Sequence, residues 1–417
     1  MIAEESKRIK VLISAYACEP DKGSEPEVGW QWVNHLAEHC EVHVLTRKNN
    51  REGIAKFYKE KEPKLTYHYH DLSTYMMKFK KLFLKGNLGV SIYASLWHRS
   101  AARICNSIIK DEEIDIFHHL TIASYRIPFA RLAPDLDVKV IVGPVGGCED
   151  FPSRLLPDKA KKVRVKEWIR NKVLMLTTRY HYFFKRYKEA TLILASTKEM
   201  FSCFSHHGFE RCKLFPTIGV NLPQNVKVVS ESRDLKLLFV GNILYWKGLG
   251  LAIRALAKLP KKINLTCYGH GGDQLPLESL SKDLGVSDRV HFMGKVPRNE
   301  LLQLYFDYDV FLYPSLHDSG SFTVLEAMAS GLPTVCLNRG GPGVSVLEDC
   351  GFSVDANGTK EEVVNRLVDA VMSYVKNRDL LKQHSEASVR RIREDYEWSV
   401  KAKRMFSYYE ELVKQDK

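Results

Sequence analysis

The stretch that decides the fold is His317-Asp318-Ser319-Gly320-Ser321-Phe322-Thr323-Val324-Leu325-Glu326-Ala327-Met328-Ala329-Ser330-Gly331-Leu332-Pro333. The apolar run before it, Asp309-Val310-Phe311-Leu312-Tyr313-Pro314, reads as a buried strand. Val324 to Ser330 reads as a helix stopped by Gly331 and Pro333. The loop between them is built of small residues with a carboxylate at its head. In a strand–loop–helix of this kind, free backbone N–H groups and the positive end of the helix dipole meet at one point, which suits an anion. Asp318 and Glu326 bracket that loop. Carboxylates do not bind phosphate, and neutral hydroxyls fit them. A ligand with phosphates in the middle and hydroxyls at both ends is a nucleotide sugar. The same residues also fit a plainer reading: Thr323-Val324-Leu325-Glu326 matches a capping box, in which Glu326 only satisfies a backbone N–H.

Working outward, strands and helices alternate in both halves of the chain, which predicts an α/β protein of two doubly wound, Rossmann-like domains. The second half begins at the strand Leu235–Val240. It continues through Gly241-Asn242-Ile243-Leu244-Tyr245-Trp246-Lys247-Gly248 into a helix from about Leu249 to Leu259. This loop suits phosphate, although it lacks the Gly-Lys-Ser/Thr of a Walker loop; the plain alternative is an exposed lysine on a solvated turn. In the first half, Lys10–Ala15 is a strand, Cys18–Gly23 a loop, and Ser24-Glu25-Pro26-Glu27 opens a helix with Ser24 as cap and Glu27 closing the box. Glu41–Thr46 is the next strand. Strands at Asp115–Thr121 and Val138–Val142 end in His118, His119 and Thr121, and in a loop with Gly146, Gly147 and Glu149. Sites in open α/β sheets lie at such strand ends, so these six are acceptor-side candidates. A buried core histidine is the competing reading for His118 and His119. Gln224 to Arg233 reads as the linker, which gives domains over 1–223 and 224–395 and a last helix over 396–417 expected to pack back on the first domain.

The acidic pair with seven residues between, followed by Ala327-Met328-Ala329-Ser330-Gly331-Leu332-Pro333, resembles the signature of the family 4 (group 1) retaining glycosyltransferases. Asp318 stands where glutamate is usual, and Ser319-Gly320-Ser321 where Gly-Phe-Gly is usual. Gly241 to Gly248 resembles the family's Gly-Arg-x4-Lys-Gly donor loop, with Asn242 in place of the arginine. Gly23-Ser24-Glu25 resembles the opening glycine loop. The loop histidine common in the family is absent. The resemblance implies the GT-B architecture, with two domains facing a cleft. It also implies transfer of a sugar from a nucleotide sugar to a glycan or lipid-linked acceptor with retained configuration, and no metal or cofactor. By the same resemblance, Lys247, Asp318 and Glu326 carry the chemistry. Gly23, Ser24, Gly241, Asn242, Ser319, Gly320, Ser321 and Phe322 join them around the donor. A nucleotide-sugar epimerase or hydrolase of this fold, or a non-catalytic sugar-nucleotide-binding subunit, is the alternative.

Composition sets the outer bounds. The 417 residues have a formal net charge of +12 and a pI near 9.1, which favours anionic partners. No apolar run approaches the roughly 18 residues of a membrane span, and the start of the chain has no signal-peptide core. The nine scattered cysteines fit a reducing compartment. Together these predict a cytoplasmic protein, peripheral on the inner face of the membrane. Met76–Lys85 and Lys159–Lys188 mix Lys and Arg with large apolar side chains. Such stretches suit an anionic membrane surface, or else a solvated helix face with its aromatics turned inward. No nucleic-acid motif accompanies the charge. Cys203, Cys212, His206 and His207 are a conceivable metal cluster whose spacing matches no standard zinc pattern.

Overall fold

The structure, a computed structural model, describes residues 8–59, 63–73, 75–76, 86–156, 161–180, 182–223 and 234–414. Thirteen strands form two sheets among these residues. The first holds β1 (Lys10–Ser14), β2 (Glu41–Arg47), β3 (Thr66–His70), β4 (Ile116–His119), β5 (Lys139–Val145), β6 (Leu192–Ala195) and β7 (Cys212–Leu214). Their order is β3-β2-β1-β4-β5-β6-β7. The second holds β8 (Lys236–Val240), β9 (Asn264–Tyr268), β10 (Val290–Gly294), β11 (Val310–Tyr313), β12 (Thr334–Leu337) and β13 (Gly351–Val354), in the order β10-β9-β8-β11-β12-β13. Every pairing within both sheets is parallel.

The central strands are buried on both faces, hence their continuous apolar runs: β11 and β12 are buried at every position. Both sheets reverse their winding beside the first strand of the domain, between β1 and β4 and between β8 and β11. The crevices outside those strand ends are where such folds place ligands. β3 and β7 were not anticipated. The alternating Thr-Tyr-His-Tyr-His of β3 lies on a sheet edge and is only partly buried, and β7 is three residues long. Neither has the apolar run that marks a central strand.

One expected helix cap is corrected, and one alternative capping reading is not met. The first helix runs Ser24–Leu36 with Gly23 at its cap and no side-chain cap. Ser24 itself has φ 53°, and Glu27 turns to the N–H of Asp21 at 2.9 Å and the amide of Gln31 at 2.7 Å instead of closing a box. The helix after Asp318 begins at Phe322, with Ser321 at its cap in the left-handed region. Thr323 therefore lies inside the first turn, and Glu326 is free of the capping role.

The expected linker, Gln224–Arg233, lies outside the described residues, as does nearly all of Met76–Lys85. The helix Trp398–Lys414 packs on the first domain. Trp398 meets Trp32 edge-to-face at 5.5 Å, and the Tyr409 hydroxyl is 2.7 Å from His118 Nδ1. Lys401 is buried there. Its Nζ donates to the Pro216 carbonyl at 2.6 Å and lies 4.3 Å from the Phe215 ring centre and 5.6 Å from that of Trp32. Burial lowers its pKa to about 7, with Arg404 acting the same way and Asp395 against it.

That shift makes the docking of the last helix pH-dependent. The unfolded lysine titrates at ~10.4, so between about pH 7 and pH 10 the unfolded chain binds more protons and stability rises with pH. Melting temperatures of the native chain and of Lys401→Met, compared across that range, should diverge in favour of the native chain as pH rises, and run parallel below about pH 7. A constant difference throughout would show that Lys401 keeps its ordinary pKa.

Candidate functional site

Close backbone approach builds the site. Gly248 has φ 77°, and a Cβ there would stand 1.8 Å from the Pro314 carbonyl oxygen, so only glycine lets the two loops touch. The Trp246 carbonyl then accepts from the Leu316 N–H at 2.8 Å and the Ser315 hydroxyl at 3.1 Å. This clamp brings Lys247 to Asp318. Lys247 Nζ donates to Asp318 Oδ2 at 2.5 Å, and the Tyr313 hydroxyl donates to the same oxygen at 2.8 Å. The Ser321 N–H reaches Oδ1 at 3.2 Å. Burial opposes ionisation of Asp318, but the Lys247 charge and the hydrogen bonds from Lys247, Ser321 and Tyr313 outweigh it and hold the carboxyl below its usual range. From behind, the Gly341 N–H donates to the Asp318 carbonyl at 2.8 Å.

These groups line a cleft of about 410 Å³ between the two domains. The second domain contributes Gly241, Asn242, Lys247, Tyr313 and Asp318 to Thr323. Ser24, Glu25 and Val28 come from the first domain, and Thr217 and Ile218 from the segment after β7. Of the donor-side candidates, Ser24, Gly241, Asn242, Lys247, Asp318, Ser319, Gly320, Ser321 and Phe322 meet here, with Gly23 next to them at the helix cap. A Cβ on Gly320 would stand 2.4 Å from Ile218 Cδ1, so the two domains come close at this glycine.

Glu326 sits apart. It is buried, and both Arg298 Nε (3.0 Å) and Nη2 (2.8 Å) donate to its Oε1. The Tyr305 hydroxyl lies 3.5 Å from Oε2.

The acceptor-side candidates divide. His118 is fully buried, with Nδ1 facing Tyr409 and Nε2 2.8 Å from the Gly143 carbonyl. His119 is equally buried, edge-to-face with His98 at 4.6 Å. Burial pulls the His118 pKa down to about 4 and the His119 pKa well below the usual range. Thr121 accepts the Ala17 N–H at 3.0 Å. All three are buried in the first domain and not on the cleft wall, which for His118 and His119 is the plainer reading. Gly146 does face the second domain: a Cβ there would lie 3.9 Å from Ser319 Cβ. Gly147, at φ 112°, packs by Ser124 and Tyr125. Glu149 is buried and accepts from the Thr197 hydroxyl at 2.9 Å, and burial raises its pKa.

Several cleft residues escaped the sequence reading. Glu25 accepts the Ile122 N–H at 2.7 Å and ties the first turn of the helix Ser24–Leu36 to the loop after β4; burial raises its pKa. Ile122 has φ 57°, unusual for a β-branched residue. It joins Ser24 (53°) and Ser321 (41°) in a set of strained backbone positions at or beside the cleft. Tyr313 hid inside an apolar strand run. Arg170, from the helix Lys161–Arg179, lies 2.7 Å from His317 Nε2, and Glu167 of the same helix accepts from the Tyr245 hydroxyl at 2.6 Å. No local pattern announces such cross-domain partners. Among the described residues, no three His, Cys, Asp or Glu side chains stand together as a metal site. His207 stacks on Phe184 at 4.0 Å instead.

The Glu326–Arg298 pair generates a stability prediction. Arg298→Met leaves a buried carboxylate without its cation and should cost about 1–2 kcal/mol, since the arginine side chain is largely exposed. In Arg298→Met/Glu326→Gln the loss should shrink. Thr323→Ala should leave the melting temperature within the range of a neutral surface change. A large effect of Thr323→Ala would restore the capping reading.

Residues 223–390 match the family described as glycosyl transferases group 1. An uncharacterized glycosyltransferase of Methanocaldococcus jannaschii is 36% identical over 124 residues, 29% of this chain and 31% of that protein. The matched stretches span between 31% and 60% of the first three curated relatives. In structure, sucrose-phosphate synthase from Thermosynechococcus elongatus superposes with a TM-score of 0.63 at 16% identity, covering 98% of this chain and 100% of that one. An Anabaena protein solved in complex with UDP superposes with a TM-score of 0.55 at 14% identity, covering 97% and 100%. These likenesses establish a shared fold along nearly the whole chain. Over residues 223–390 the chain is similar to the group 1 glycosyltransferases, and its two parallel-sheet domains have the GT-B fold of the solved structures it superposes on.

Proposed function

We propose that the protein transfers a sugar from a nucleotide-sugar donor to a lipid-linked or glycan acceptor with retained configuration. The observation that carries this reading is the convergence of Lys247, Asp318 and the N-terminal turn of the helix Phe322–Ala329 in one interdomain cleft. The UDP seen in the Anabaena relative supports a nucleotide donor of that kind.

A departing diphosphate develops negative charge. The Lys247 ammonium, the Gly320 and Ser321 N–H groups and the helix N-terminus are fixed donors for it, and their orientation costs nothing at the moment of reaction. Asp318, held ionised by its neighbours, exchanges its bond to Lys247 for a sugar hydroxyl when the donor enters. Glu326 accepts from the ribose hydroxyls after Arg298, whose side chain is 62% exposed, swings aside. The reading needs no metal, because Lys247 and the amides supply the positive charge.

Lys247→Ala should abolish turnover across a panel of labelled nucleotide sugars while leaving the chain folded, with only a modest loss of melting temperature from the unpaired Asp318. Release of free nucleotide without an acceptor would instead indicate a hydrolase, and full activity of the variant would remove Lys247 from the site.

The helix Lys161–Arg179 favours an acceptor held at a membrane. Val165, Trp168, Ile169, Val173 and Leu176 are all at least 43% exposed on it, beside Lys162, Lys166 and Lys172. Phe184 and Tyr187 beyond it pack inward, while Tyr180 and Tyr182 stay exposed beside the helix. Among the described residues no helix is long and apolar enough to cross a membrane. Each surface lysine gains about 1 kcal/mol at an anionic leaflet, and salt screens that gain. The full chain should co-sediment with anionic vesicles at low salt, release at high salt, and bind neutral vesicles poorly. Changing Lys162, Lys166 and Lys172 together to Glu should abolish the binding. Undiminished binding by that variant would leave this helix a solvated face and point to a soluble acceptor.

A further inference from the structure

The first domain has a second hollow, of about 920 Å³, which shares no residue with the interdomain cleft. The helix Gly86–Asp111, the loop after β4 and the segment Tyr182–Glu189 enclose it. Arg99, Arg103, Arg126, Arg131, Lys185 and Arg186 line it, against Glu189 as the one carboxylate among the described residues of its wall. Arg126 already spends its Nε on the Tyr125 hydroxyl at 2.8 Å.

Arg186 is the telling member. Its guanidinium lies over the Phe129 ring, 5.3 Å from the centre. Its Nε and Nη2 are buried and meet no hydrogen-bond acceptor, for Glu189 stays 3.8 Å away. Burial lowers its pKa, and the nearby Arg131 and Arg99 lower it further, while Glu189 opposes them. A guanidinium with two buried donors that make no hydrogen bond, one long ion pair to Glu189 and two like charges beside it is costly. One multiply charged anion with several acceptor oxygens removes both costs, because guanidinium groups bind phosphate in paired, charge-assisted bonds. The cations gather at one hollow and do not run as a stripe, which fits one phosphate group and not a polynucleotide backbone.

We propose that the Arg99–Arg131–Arg186 hollow binds a phosphate group, carried by a soluble phosphorylated molecule or by a lipid head group. The site is separate from the donor cleft and does not depend on the glycosyltransferase reading. It is contiguous with the apolar helix: Tyr125, on its wall, is bonded to Thr177 of Lys161–Arg179 at 2.6 Å. The rim residue Tyr182 is 80% exposed, at the level where a head group would enter.

The test uses the full chain with inorganic phosphate as probe, by calorimetry and thermal shift. Three forms are compared: native, Lys247→Ala, and the triple variant Arg99→Gln/Arg131→Gln/Arg186→Gln. Phosphate affinity should fall at least about tenfold in the triple variant, which loses charge-assisted bonds, and stay within about twofold in Lys247→Ala. If the triple variant fails to fold, the exposed Arg131→Gln alone should show a smaller loss in the same direction. Flotation with phosphatidylglycerol-containing vesicles then separates the sources. Loss of vesicle binding in the triple variant identifies a lipid head group, and loss of phosphate binding with vesicle binding intact identifies a soluble ligand. Native-like behaviour of the triple variant in both assays, or loss of phosphate binding in Lys247→Ala alone, overturns the proposal.

Discussion

Lys247 and Asp318 form an ion pair between two loops that belong to neighbouring strands of the second sheet, β8 and β11, and the cleft takes its shape from that contact. Both side chains are largely buried, so each charge relies on the other to offset its lost hydration. The backbone enforces the meeting. Gly248 must lie against Pro314, and the Trp246 carbonyl must take its bonds from the following loop, before the two charges come within reach. Tyr313 and the amides after Asp318 then fix the carboxylate. The lysine is thus held at the cleft wall against Asp318, and little side-chain entropy is left for ligand binding to remove.

The same loops are tied to the other domain by one helix. Glu167 and Arg170 reach Tyr245 and His317, the residues flanking the Lys247–Asp318 contact in sequence. Burial, with the neighbouring Arg170 charge acting the same way, lowers the His317 pKa to about 4, so at neutral pH it meets Arg170 as a neutral acceptor and not as a second cation. Farther along the interface the Arg339 guanidinium is bonded to Asp150, and Glu199 accepts the Gly340 N–H at 3.0 Å. The helix that offers an apolar and basic face outward therefore grips the loops of the Lys247–Asp318 pair with its inward face. Movement of that helix at a surface would be felt at Tyr245 and His317 through two hydrogen bonds.

The sequence carries the sheets well where strands are buried on both faces, because the apolar run is then uninterrupted, as in β8 and β11. It fails at β3 and β7, whose exposure breaks the pattern. The donor loops were legible for a related reason: glycine, lysine and small residues gathered at a strand end pack little core and leave backbone N–H groups open to an anion. Helix starts were less so. Ser24 and Thr323 have the composition of caps, yet the chain enters both helices through left-handed residues, Gly23 with Ser24 and then Ser321, that displace the capping geometry. His118 and His119 lie at a strand end, which is where ligand-binding residues collect, but their side chains turn into the core, and one of them is claimed by Tyr409 from nearly three hundred residues away. Glu167 was visible only as a lone acid among cations. Its burial, and its bond to the opposite domain, have no local sequence signal.

Shortening the first acid of the signature to Asp318 has a geometric consequence in this chain. The carboxylate stays close to its own backbone, within reach of the Ser321 N–H, and still takes both Lys247 and Tyr313 on one oxygen. A side chain one methylene longer would carry those acceptors past the loop and loosen the bonds to the amides. The anion-binding N–H groups are thus partly occupied by the protein's own carboxylate until a ligand arrives, and the cleft holds paired charges instead of a bare lysine. Solvating that lysine by an internal partner lowers the affinity for free phosphate in water. Under the proposed donor reading, a ligand that offers Asp318 a hydroxyl in exchange keeps its binding, and the contact that holds the loops together then favours a sugar-bearing diphosphate.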